Sequence, residues 1–127
     1  MKKILITCFA FFVLIACNNS SSKEKDNKTD NTVKDNSTNP DYQNGLALVA
    51  KNKCMTCHNI DDPLTGPPYR EVAKKYSNMP DTIVSHLASK IISGGSGIWG
   101  QIFMTAHPDV SKADAEAMVK YILLLNK

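Results

Sequence analysis

The run "CMTCH", Cys54 to His58, constrains this chain more than any other stretch. Two thiols three residues apart point to the same side of a helical turn, and an imidazole follows directly. That order reads as attachment of a c-type haem. Each thiol can add to one vinyl group of the porphyrin, and the histidine can come up beneath the ring to coordinate iron. Three other readings use the same residues. A dithiol redox site accompanies a βαβ pattern, whereas the patterns around this motif are helical. A zinc site normally takes four ligands, yet there is no second cysteine pair, and His86 and His107 have no matching spacing. A disulfide between Cys54 and Cys57 would close almost no loop and stabilise little.

The N-terminus reads "MKKILITCFAFFVLIAC". Two lysines precede an apolar run from Ile4 to Ala16, interrupted only by Thr7. A charged start followed by a short apolar stretch is a secretory signal, and the run falls short of the roughly 20 residues a membrane span needs. "LIAC", Leu14 to Cys17, resembles the lipobox of bacterial lipoproteins. That resemblance implies removal of residues 1–16 and lipid on the sulfur and new amino group of Cys17. Several acyl chains together would anchor the protein stably. Cys8 would leave with the signal, and lipid and haem would use the three remaining cysteines.

Residues 17–40 are read as the lipidated cysteine and a disordered linker. From residue 18 onward they hold one apolar side chain, Val33, while lysines 23, 25, 28 and 34 balance acids at 24, 26, 30 and 35. Such a segment cannot bury enough surface to offset its ordering entropy. As a flexible coil it would reach roughly 25–30 Å. Residues 41–127 remain as one domain, whose small core would gain from a cofactor. Nine basic against eight acidic residues leave it at +1, which is no nucleic-acid footprint.

Four helical patterns and no strand alternation fill the domain. The first starts at Asp41 as N-cap, with Leu46, Val49 and Ala50 at helical spacing. The second starts at the prolines and carries Tyr69, Val72, Ala73 and Tyr76 on one face. The third has Ile83, Val84, Leu87, Ile91 and Ile92 as its stripe and stops at Gly94 and Gly95. The fourth opens on Ser111 with Asp114 as a capping box and buries Met118, Tyr121, Ile122 and Leu125. A Gly-rich loop with Trp99 and Met104 joins the last two.

Taken together, "CMTCH", "GPPYREVAKKY", "GSGIWGQIFM" and a C-terminal helix with a central aromatic resemble a small bacterial class I monohaem cytochrome c. The resemblance implies an all-α cytochrome c fold, about four helices wrapped around one covalently attached haem. By position it makes Met104 the distal iron ligand opposite His58. Met79, in a loop before Pro80, is the main rival, and His107 and His86 are lesser ones. Met118 fits core filling, and Met55 lies inside the binding motif. The family often has proline before this methionine; Phe103 stands here and implies a less rigid loop. The resemblance also assigns the Pro67 carbonyl as acceptor for His58, and Trp99 and Lys90 as partners of the haem propionates. It lets Gly45 bring the first and last helices together, with Val49 on one side and Met118 and Tyr121 on the other.

The function so implied is electron transfer, not catalysis, since filled axial sites leave no place for a substrate. The expected partners are membrane-bound redox complexes, a quinol-oxidising donor and a terminal oxidase or reductase as acceptor. A monomer in the cell envelope is expected, lipid-anchored on the outer side of the cytoplasmic membrane or facing the periplasm. The alternative is a haem-based gas or redox sensor with a labile Met104. A dihaem peroxidase would need a second C-x-x-C-H, which the sequence lacks.

Overall fold

The structure is a computed structural model and describes residues 35–126. The signal segment, Cys17 and the linker through residue 34 lie outside the described residues. Four helices follow in order: α1 (Pro40–Lys51), α2 (Tyr69–Tyr76), α3 (Thr82–Ser93) and α4 (Lys112–Leu123). Cys54–Thr56 form a 3-10 turn between the first two.

The N-cap of α1 is Asn39 rather than Asp41. Its side-chain oxygen accepts from the N–H groups of Asp41 at 2.9 Å and Tyr42 at 3.4 Å. Pro40 takes the first helical position, where a missing N–H costs nothing. Packing reaches further upstream still. Asn36 is buried, and its amide donates to the Leu124 carbonyl at 2.8 Å. That carbonyl belongs to the end of α4, where helical partners run out, so one side chain satisfies it and joins both ends of the domain. Leu46 and Ala50, expected on the buried face of α1, are exposed. Gly45 and Val49, expected at the crossing with the last helix, are the buried residues of α1, because the seam is centred on the smallest side chain.

At the centre lies α4, which touches α1, α2 and α3. Ala115, Met118, Val119, Tyr121 and Ile122 are its buried residues. The Asp114 N–H donates to Ser111 Oγ at 3.1 Å, which caps the helix. At Gly45 the axes of α1 and α4 come too close for any other residue. A Cβ there would lie 2.3 Å from the Tyr121 Cβ and 2.4 Å from the Ala117 carbonyl oxygen. Beside this contact the rings of Tyr42 and Tyr121 meet edge to face with centroids 5.0 Å apart, a favoured aromatic geometry.

One feature departs from the expected Gly-rich loop. Residues between α3 and α4 form an antiparallel ribbon of β1 (Gly95–Gly97) and β2 (Gly100–Met104). Gly95 pairs with Met104 and Gly97 with Gly100, with an irregularity between. A strand spelled Gly-Ser-Gly has almost no side chains to alternate, so periodicity is blind to it.

Candidate haem-attachment site

The motif is reached by a sharp turn out of α1. Asn52 donates its side-chain N–H to the Leu48 carbonyl at 2.9 Å. Lys53 then adopts left-handed backbone, φ 55° and ψ 29°, a conformation that disfavours a non-glycine residue by roughly 1–2 kcal/mol. The chain winds at once into the 3-10 turn. The N–H groups of Cys57 and His58 both donate to the Cys54 carbonyl, at 3.2 and 3.1 Å. Both thiols are free, Cys54 half-buried and Cys57 exposed. Burial pushes the Cys54 thiol's pKa up, opposed by a hydrogen bond from the Tyr69 hydroxyl.

His58 is held by three neighbours from the segment that follows. Its Nδ1 lies 2.8 Å from the Pro67 carbonyl oxygen. A carbonyl only accepts, so Nδ1 carries a proton, and in the neutral imidazole the lone pair is on Nε2. Gly66 donates its N–H to the Cys57 carbonyl at 2.7 Å and presses its α-carbon against the imidazole. A Cβ at Gly66 would stand 2.5 Å from Cε1 and 2.8 Å from Nδ1 of His58. Tyr69 stacks on the imidazole, with centroids 5.1 Å apart and planes inclined by 15°.

The loop is tied down where α2 begins. Tyr69 and Arg70 donate their N–H groups to the Asn59 and Ile60 carbonyls at 2.9 and 3.0 Å. Arg70 Nε pairs with Asp61 at 2.5 Å, and its Nη1 reaches the Leu125 carbonyl at 2.9 Å. The hydrogen bond from Arg70 holds the Asp61 carboxyl below its usual range. Such a surface pair contributes little energy; its effect is to fasten the loop to the end of α4. Sequence reasoning named Pro67 but passed over Gly66 and gave Tyr69 only a core role. A glycine before two prolines was the available signal for a close approach.

Met104 is half-buried at the base of the ribbon, opposite Gly95. Lys90 reaches the same place, its Nζ 3.8 Å from where a Gly95 Cβ would stand. Met79 and Met55 are exposed, as is His86. His107 is half-buried, its backbone N–H donating to the Ile91 carbonyl at 3.1 Å. Trp99 sits at the ribbon tip and meets Tyr76 edge to face at 6.4 Å. The Lys75 ammonium lies 5.8 Å from the Tyr76 centroid and 5.7 Å from that of Trp99, within cation–π range. This cluster fastens the ribbon tip to α2.

The residues fit a porphyrin. Ile98, Ile102 and Phe103 are 70%, 64% and 66% exposed. Apolar surface of that kind marks a ligand or partner site, and here it lies on the ribbon that carries Met104. The thiol pair and an imidazole with a free Nε2 supply attachment and ligation. Among the described residues no three His, Cys, Asp or Glu side chains converge as a metal site, so the zinc reading finds no further donors.

The family model for cytochrome c matches residues 42–126. The chain belongs to the cytochrome c family. It is 42% identical over 78 residues to cytochrome c-552 of Nitrosomonas europaea, covering 61% of this chain and 75% of that protein. Cytochrome c-551 of Azotobacter vinelandii is 42% identical over 81 residues, covering 64% and 96% of the two chains. The crystal structure of wild-type Nitrosomonas europaea cytochrome c552 matches with a TM-score of 0.60 at 41% identity, over 64% of this chain and 99% of that one. The fold is therefore the cytochrome c fold, all-α apart from the ribbon. The cofactor of this cytochrome c is one covalent c-type haem, and Cys54 and Cys57 fit its attachment motif. Among the described residues no helix is long and apolar enough to cross a membrane.

Proposed function

We propose that this cytochrome c carries single electrons, with His58 and Met104 as axial ligands, while tethered to a membrane surface through lipid on Cys17. The observation that carries the reading is the hold on His58: Nδ1 is committed to Pro67 at 2.8 Å, so only Nε2 is available for a metal. A partner on the second nitrogen fixes the orientation of a ligating imidazole. When bound, haem supplies an iron that exchanges one electron between ferric and ferrous states, and His/Met ligation raises its potential.

Cys54 and Cys57 hold the cofactor in place. Met104 offers a neutral thioether from the ribbon, and Lys90 beside the ribbon base and Trp99 at its tip offer N–H donors toward the propionates. With His58 and Met104 both holding the iron, no open site would be left for a substrate, which supports a carrier over an enzyme. The partners are membrane-bound complexes, a quinol-oxidising donor and a terminal oxidase or reductase, met through small and brief interfaces. The "LIAC" sequence supports the anchor, which would hold the protein on the envelope side of the membrane. A tether raises the effective concentration of such partners.

Replacing Met104 by Ala tests the ligand assignment. The oxidised variant is expected to lose the weak long-wavelength absorption band of iron–thioether ligation. Its potential is expected to fall by on the order of 0.1 V, well inside the roughly 0.8 V that axial ligands command. If Met79→Ala does this and Met104→Ala does not, the assignment is wrong.

A further inference from the structure

We infer that Tyr69 is a positioning residue for the haem's proximal side, holding the plane of the ligand imidazole. The inference rests on His58 as axial ligand and adds a residue to that reading. The Tyr69 ring stacks on His58 with centroids 5.1 Å apart and planes inclined by 15°. The residue is 4% exposed, and its N–H is fixed on the Asn59 carbonyl at 2.9 Å, so the stack is not a passing surface encounter.

The geometry completes the control of a planar ligand. The Pro67 carbonyl sets rotation of the imidazole within its plane, through Nδ1. A hydrogen bond at one edge leaves the tilt of the plane free, and the stacked phenol ring constrains it.

Two variants of the haem-loaded protein test this. Tyr69→Phe keeps an aromatic ring on the imidazole, and its low-spin paramagnetic resonance signature and potential are expected to match wild type. Tyr69→Leu removes the stack and is expected to shift that signature, with a two- to threefold fall in the equilibrium constant for reduction, about 20–30 mV at about 59 mV per decade for one electron. If Tyr69→Leu keeps the wild-type signature and potential and loses only thermal stability, or if Tyr69→Phe shifts as far as Tyr69→Leu, the stack does not position the ligand and the inference is overturned. A wild-type protein without a low-spin signature at neutral pH would overturn the ligand reading and this inference with it.

Discussion

Gly45→Val is expected to lower stability by at least about 3 kcal/mol, at the upper end of overpacking effects. For a domain of this size that is a fall in Tm of roughly 12–24 °C. The obstacle is backbone as much as side chain. The new Cβ would meet the Ala117 carbonyl oxygen at 2.4 Å and the Tyr121 Cβ at 2.3 Å, and a carbonyl inside α4 cannot move without moving its helix. The helices must separate, and the seam is where Val49, Met118 and Tyr121, each no more than 1% exposed, are buried. The Asn36 and Arg70 bonds to the end of α4 would be strained by the same movement. Thermal unfolding of the haem-loaded protein followed by circular dichroism checks this. A variant melting within a degree or two of wild type would show that α1 and α4 do not cross at Gly45.

Gly66→Ala should strike the cofactor rather than the core. The added methyl would overlap the His58 ring, 2.5 Å from Cε1 and 2.8 Å from Nδ1. Two responses are open. The imidazole can swing aside and break its bond to Pro67, or the loop can lift and release its Gly66 bond to Cys57. Either one misplaces Nε2, the nitrogen proposed to hold the iron. Changes to residues that orient a metal ligand cost about 10–100-fold in affinity or activity. We therefore expect on the order of a tenfold drop in haem per purified polypeptide, with a high-spin oxidised spectrum in the remainder. Wild-type haem content and spectrum would contradict the close approach. The Gly45 and Gly66 substitutions thus separate by readout, one in melting and the other in ligation.

How much of this was legible beforehand depended on the kind of signal. "CMTCH" announces its chemistry because the reaction itself requires that spacing, and the family match agrees. The stripe of α4 was legible because large apolar side chains recur at helical period and Ser111 marks its start. On α1 the helical period picked out Val49 correctly but added Leu46 and Ala50; the close approach at Gly45 was legible from the family resemblance and not from periodicity, because it depends on the absence of a side chain. The ribbon was hidden for a related reason: pairing among Gly95, Gly97 and Gly100 is backbone chemistry. Tyr69 was visible as an apolar residue on a helix face, but its stack on His58 joins two segments whose relative placement no periodicity encodes. The Asn36 bond to Leu124 spans nearly the whole domain and left no local trace.

An iron held by both His58 and Met104, as proposed, would have no vacant position and would be suited to passing electrons. Exposure of the reduced, haem-loaded protein to carbon monoxide at neutral pH reads that closure. The absorption spectrum is expected to stay unchanged. Prompt formation of a carbon monoxide adduct would contradict it and favour a sensor whose distal ligand leaves the metal.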